Sequence, residues 1–237
     1  MIRINLISGP RNISTALMYA FAQRPDTTVI DEPYYAFYLS HSGADHPGKA
    51  DVLAAQPHGD AEVTSAILGQ WPKPVLFIKN MAHHIALTNE AFLSHVTNVF
   101  LIRNPLQIIS SYAQVIQHPE MRDIGIEYQY TLFQKLTAQG QKPVVIDSGL
   151  LLENPSVVLE KLCRHTGIPF LPEMLQWDAG AKAYDGVWAE HWYANVHRST
   201  GFERQTTSSR PLPEHLTALY DSAKVFYEKL LPFSLKA

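Results

Sequence analysis

Five short apolar runs constrain this chain more than any other feature. They occupy residues 2–7, 27–31, 75–79, 99–103 and 143–147. They are rich in Val, Ile, Leu and Phe, and segments with helical spacing separate them. Continuous apolar runs of this length, alternating with helices, predict strands of a parallel sheet buried on both faces. The later runs end on polar or charged residues: Asp31, Lys79, Arg103 and Asp147. In open α/β sheets ligands sit beyond the carboxyl ends of the strands, where these side chains fall.

The intervening segments read as helices. Leu17, Ala20, Phe21 and Arg24 set one face after Ser14. Asn154-Pro155 supplies an N-cap and a proline for a first helical turn, Val158, Leu159, Leu162 and Cys163 form its stripe, and Gly167 stops it. Leu216, Leu219, Tyr220, Ala223, Phe226 and Leu230 predict a last helix that packs back on the sheet. Residues 41–60 and 187–213 carry no clear period and read as long irregular loops, which in a compact domain are usually functional. We expect one domain over 1–237, with an α/β core over 1–170 and a helical and loop annex over 171–237.

Composition narrows the function classes. The 237 residues are 46% hydrophobic and 17% charged, enough for a substantial core. The net charge is −3 and no Lys/Arg run occurs, so no nucleic-acid partner is expected and any anion site must be local. No stretch is apolar enough to predict a membrane span, and no cleavable leader is recognisable. With Cys163 the single cysteine, a reducing cytoplasmic location is the expectation. Eleven histidines form no metal-binding motif, and no metal is expected. His41, Asp45 and His46 are expected to face solvent.

Two stretches carry candidate chemistry. After the first strand comes Gly9-Pro10-Arg11-Asn12-Ile13-Ser14-Thr15. A turn feeding a helix offers backbone N–H groups and a positive helix end to an anion, to which Arg11 adds a forked donor and Ser14 and Thr15 add hydroxyls. An ordinary turn with a serine cap fits this stretch alone equally well. The Walker pattern of a standard NTPase is absent. In the second stretch, Arg103 ends a buried strand and Ser111 follows eight residues later, on a helix begun by Pro105. The two side chains can converge on one phosphate.

Together the stretches resemble the sulfotransferase family, which transfers a sulfuryl group from 3′-phosphoadenosine 5′-phosphosulfate (PAPS). Ser8 to Thr15 is similar to the family's first strand–turn–helix, with Arg11 where cytosolic members carry lysine, and Arg103 and Ser111 match its later arginine–serine element. Residues 146–155 and 162–169 continue the likeness. DEPYYAFYL, KNMAHH and NVHRSTGF resemble short bacterial sulfotransferase-like proteins, whose plant relatives carry an aminotransferase-like label. The resemblance implies a P-loop-NTPase-like, three-layer α/β/α fold around a central, mainly parallel five-stranded sheet, with a C-terminal helical annex. It implies PAPS or its product PAP (3′-phosphoadenosine 5′-phosphate) as co-substrate. Pro10, Arg11, Asn12, Ile13, Ser14 and Thr15 would hold the 5′-phosphosulfate. Arg103 and Ser111 would hold the 3′-phosphate. Arg198 and Gly201, in Arg198-Ser199-Thr200-Gly201-Phe202-Glu203-Arg204, stand in for the family's downstream phosphate clamp.

The base that would deprotonate an acceptor hydroxyl stays open between Glu32, after the second strand, and His83 or His84, after the third. Neighbouring histidines point in different directions, so at most one is expected to face the site. Lys79 is expected to reach the transferring group, with Arg11 supporting catalysis. Trp188, Trp192, Tyr193 and Phe202 could line an acceptor pocket or serve as core, as could Tyr34, Tyr35, Phe37 and Tyr38. The acceptor would be a small molecule or a carbohydrate. Two other functions compete: a metal-dependent small-molecule phosphotransferase on a P-loop-like scaffold, and a nucleotide-binding module without chemistry.

Overall fold

A computed structural model describes residues 1–203 and 211–237. Its centre is a five-stranded parallel sheet in the order β2-β3-β1-β4-β5. The strands are β1 (Ile2–Ser8), β2 (Thr27–Asp31), β3 (Val75–Met81), β4 (Thr97–Ile102) and β5 (Val144–Asp147). All five coincide with the apolar runs, with differences at the ends. β4 starts two residues early because Thr97 and Asn98 pair with Ile4 and Asn5. β5 starts one residue late, after Pro143, which has no N–H for the ladder.

Between the strands lie α1 (Ser14–Ala22), α2 (Tyr35–Ser42), α3 (Lys49–Ala55), α4 (Asp60–Leu68), α5 (Ala82–Ile85), α6 (Pro105–Tyr112), α7 (Met121–Ile124) and α8 (Ile126–Ala138). After β5 come α9 (Ser148–Glu153), α10 (Pro155–Thr166), α11 (Ala189–Trp192) and α12 (Thr217–Leu230). Alternate strand residues feed two cores. Ile4, Leu6, Phe77, Val99 and Ile146 meet Leu17, Phe21, Leu159 and Leu162 of α1 and α10. Ile7, Leu76, Ile78, Phe100 and Val145 meet Ile108, Leu132, Phe133 and Leu136 of α6 and α8.

The caps follow the sequence. Asn104 Oδ1 accepts from Leu106 N ahead of Pro105, Asn154 Oδ1 accepts from Val157 N ahead of Pro155, and Gly167 ends α10 with φ 74°. One buried polar ladder crosses the sheet. Asn80 Nδ2 donates to Asn5 Oδ1 at 2.8 Å, Asn5 Nδ2 donates to Asn98 Oδ1 at 3.0 Å, and Asn98 Nδ2 donates to Leu93 O at 2.8 Å.

Three expectations need correction. Residues 41–60 are not one loop, since α3 lies within them, and residues 187–213, of which 204–210 lie outside the described residues, hold the one-turn α11; with Val52 the single buried residue of α3, its apolar period was too short to see. The last helix packs mainly on α8 and α6 rather than on the sheet itself. The chain reaches the sheet only beyond it, where Ser234 bridges Val145 and Leu235 N donates to Val145 O. The third concerns His46, whose half-buried ring lies 5.8 Å from that of Tyr35 rather than in solvent.

Candidate functional site

The chain runs from β1 through β2 to β3 on one side of β1, then crosses to β4 and β5 on the other. The strand order therefore reverses between β1 and β4, which defines the crevice at their carboxyl ends. A cleft of about 670 Å³ opens there. Pro10, Arg11, Asn12, Ile13, Ser14, Thr15, Glu32, Lys79, His83, Arg103, Ser111, Arg198 and Gly201 all line it, so one cavity gathers the candidate catalytic and anion-binding residues. Arg204, at the end of the Arg198 stretch, lies outside the described residues.

The two anion motifs merge into one corner. Arg11 Nε donates to Ser111 Oγ at 3.0 Å, and Arg103 Nη1 donates to Arg11 O at 2.9 Å. Gln107, one turn into α6, accepts from Arg103 Nε at 2.8 Å. Two guanidinium groups thus share one corner. Burial lowers the pKa of Arg103 and the charge of Arg11 lowers it further, a penalty that a bound anion would relieve. The backbone is strained in the same place. Arg11 and Ile13 have φ of 55° and 44°, values uncommon outside glycine and an outlier for a β-branched residue. Such turns aim successive N–H groups at one point. Leu17 N donates to Ile13 O, so the N–H groups of Ser14, Thr15 and Ala16 lie in the first turn of α1, ahead of its own ladder. Asn12 has a structural part: it is 2% exposed, and its Nδ2 ties the turn to Leu101 O at 2.7 Å.

A second cluster lies beside β2 and β3. Asp31 and Lys79 are direct partners in the strand register, and Lys79 Nζ donates to Asp31 Oδ1 at 2.8 Å and Glu32 Oε1 at 2.6 Å. Glu32 leaves the strand with φ 41°. That conformation is over-determined: Glu32 N donates to Lys79 O, and Glu32 O accepts from Tyr35 N and Gln56 Nε2. Burial raises the pKa of Glu32 against the opposing pull of Lys79. Burial alone would lower that of Lys79, but the two carboxylates outweigh it and hold the ammonium protonated. With its charge committed to Asp31 and Glu32, Lys79 orients Glu32, whereas the expected reach to a transferring group would require leaving both.

Tyr193 locks this cluster to the annex. Its hydroxyl donates to Asp31 at 2.8 Å and accepts from Trp188 Nε1 at 3.0 Å and from Lys79. Gly186 N also donates to Asp31 Oδ2 at 3.0 Å. Asp185 holds the same segment by accepting from Tyr19 Oη at 2.7 Å and pairing with His197 Nε2 at 3.0 Å. The sequence reading missed the parts of Asp31 and Tyr193. Asp31 could have been found as the carboxylate in register with Lys79; nothing local marks Tyr193.

His83 and His84 both face the cleft, against the expectation of one. They sit on α5, a single turn at a concave corner, with their rings 4.4 Å apart and nearly perpendicular. Gly125, with φ 73°, lets the α7–α8 junction close on this turn, since a Cβ there would meet Ala82 Cβ at 2.8 Å. Burial lowers the pKa of His83 to about 3 and that of His84 well below its ordinary value, so both imidazoles are neutral. Of the aromatic candidates, Tyr35, Trp188, Trp192, Tyr193 and Phe202 line the cleft, while Tyr34 is fully buried core.

The parallel α/β sheet, with a cationic, glycine-poor turn at its switch point, has a P-loop-like architecture. A family model described as a sulfotransferase domain matches residues 2–232, and the chain belongs to that family. It is similar to branched-chain-amino-acid aminotransferase-like proteins 1 and 2 of Arabidopsis thaliana, 38% identical over 209 residues and 37% over 203. Those matches cover 87% and 84% of this chain but only 37% and 36% of the plant proteins. The fold is similar to that of the sulfotransferase domain from the Synechococcus PCC 7002 olefin synthase, with a TM-score of 0.62, 16% identity, and coverage of 99% of this chain and 96% of that one. It is also similar to a sulfotransferase from Alicyclobacillus acidocaldarius, with a TM-score of 0.53, 15% identity, and coverage of 98% and 96%.

Proposed function

We propose that the chain transfers a sulfuryl group from PAPS to the hydroxyl of a small-molecule or carbohydrate acceptor. The observation that carries this reading is the shared corner of Arg11, Arg103 and Ser111 at the strained end of β1, in one cleft with Glu32. Two adjacent cations and the N–H groups of the turn into α1 fit the two phosphate-bearing ends of PAPS. Ser14, Thr15 and the turn amides hold the 5′ end. Arg103 and Ser111, with Arg198 and the Gly201 backbone at the cleft wall, hold the 3′-phosphate.

Transfer breaks the sulfur–oxygen bond to the 5′-phosphate and forms one to the acceptor oxygen. The acceptor's proton goes to Glu32, whose pKa burial raises, which makes it the stronger base. Arg11 and the turn amides stabilise charge on the departing phosphate oxygen. A sulfuryl group carries less negative charge than a γ-phosphoryl, so fixed cations and backbone donors suffice in this scheme.

The direct test is to incubate the protein with PAPS and a panel of hydroxyl compounds and to follow PAP release and acceptor mass. PAP release that needs both an acceptor and Arg11 supports the reading. PAP binding without turnover would favour the non-catalytic module, and a preference for ATP with Mg²⁺ would favour the phosphotransferase.

A further inference from the structure

One residue of the arginine corner has no part in the sulfuryl-transfer scheme. Gln107 and Ser111 lie four residues apart on α6, so they share one face of the helix, and both line the cleft. Each meets one of the two arginines: Ser111 Oγ accepts from Arg11 Nε at 3.0 Å, and Gln107 Oε1 accepts from Arg103 Nε at 2.8 Å. The start of α6 holds Gln107 in place, since Asn104 caps the helix through its side chain and its carbonyl accepts from Gln107 N at 3.0 Å.

Arg103 is held at two atoms. Its Nε donates to Gln107 and its Nη1 donates to Arg11 O at 2.9 Å, and two bonds from a planar group fix its plane as well as its place. The second bond ends on the carbonyl of a residue with φ 55°, so the plane of Arg103 and the shape of the strained turn are set together. The Gln107 amide cannot turn over, because its Nε2 would then face another donor. Its lack of charge is what separates Gln107 from the acidic partners an arginine usually finds. A carboxylate at this place would orient the guanidinium equally well and would cancel its charge. The nearby carboxylate felt by Arg103, that of Asp147, gives its oxygens to Leu150 N at 3.1 Å and Tyr227 Oη at 2.9 Å.

We propose that Gln107 is the positioning residue of the anion corner: it fixes the plane of Arg103 with an uncharged acceptor, so that the guanidinium meets a phosphate or sulfate already oriented and with its charge intact. This deepens the sulfuryl-transfer reading and rests on it for the nucleotide, where Gln107 acts through Arg103 to set the preference for a 3′-phosphate. A helix-surface pair with no such task would contribute to folding alone and leave ligand preference untouched.

Calorimetric titration of the full chain with PAP and 5′-AMP, and NMR titration with inorganic sulfate, test it in Gln107→Met, Gln107→Glu, Arg103→Ala and the Gln107→Met, Arg103→Ala double variant. Gln107→Met keeps the length of the side chain and removes the acceptor. It should lower the preference for PAP over 5′-AMP about ten-fold, the scale of one hydrogen bond to a charged group. Gln107→Glu keeps the acceptor but cancels the charge, and should lower that preference at least as far. In the Arg103→Ala background Gln107→Met should change nothing further, whereas a merely structural role would lower affinity by the same factor in both backgrounds. With a native chain that prefers PAP, three results overturn the inference and leave the nucleotide reading standing: an unchanged preference in Gln107→Met, a Gln107→Glu variant that binds PAP as the native chain does, or equal losses in both backgrounds. Sulfate separates the two ideas from the other side. If the native chain shows no preference for PAP while its sulfate affinity falls about ten-fold in Gln107→Met, the nucleotide reading falls and the role of Gln107 stands; an unchanged sulfate affinity there overturns both.

Discussion

Glu32 combines a left-handed backbone, burial and a bond to a buried lysine, a set of costs that packing alone does not explain. If it is the base, Glu32→Gln should lower kcat by about a hundred-fold or more with little change in nucleotide affinity. Its pH dependence has a definite sign. Burial raises the carboxyl pKa, so the protonated, inactive form persists above the ordinary carboxylate range of about 4.3, and the rate should rise with pH through the raised value. The glutamine variant should lose that acid limb, and a kcat–pH profile of both proteins checks it. Tyr193 bonds Asp31 and Lys79, and its hydroxyl lies 3.5 Å from Glu32 Oε1. Tyr193→Phe should lower kcat about ten-fold, leave KM for PAPS unchanged and shift the acid limb. An unshifted limb would leave Tyr193 a merely structural residue. Single residues were partly legible in the sequence. Arg11, Arg103 and Ser111 stood out because strand ends and spacing marked them. The lock of Tyr193 on Asp31 joins positions 162 residues apart, and no local pattern encodes such a contact.

At the scale of elements, the strands were the most legible because each must be apolar on both faces. The exceptions are informative. Asn5, Asn80 and Asn98 interrupt that pattern, and they do so at positions that meet across adjacent strands to form one hydrogen-bonded ladder. Asn5→Ala would strip a partner from both neighbours and should cost about 3 kcal/mol, read as a lower denaturant midpoint. Arg164→Ala on the exposed face of α10, which breaks a surface pair with Glu160, should change stability by less than about 0.5 kcal/mol. The short helices were less legible. α3 offers too few apolar positions for a period to emerge, and α5 is one turn long, too short for helical spacing to show that His83 and His84 both line the cleft.

For the whole molecule, strand order decides where function can sit. The chain reverses direction of travel at β1 and β4, and the residues after those two strands build the arginine corner. The sequence held the fold class, because alternating buried runs and helices admit few arrangements. It did not hold the relation between the two arginine motifs, which were read as separate binding points and instead touch through Arg11 and Ser111. That contact makes the proposed nucleotide site one unit, so loss of either arginine should weaken both ends of the ligand. The measurement that tests this most directly is calorimetric titration with PAP, against ATP and 5′-AMP, with and without Mg²⁺, for the native chain and Arg103→Ala. The account predicts metal-independent binding that favours PAP over both competitors and falls by about a hundred-fold in the variant, the scale of a lost charge-assisted contact. Equal affinity for the three nucleotides, or PAP binding that survives Arg103→Ala unchanged, would contradict it.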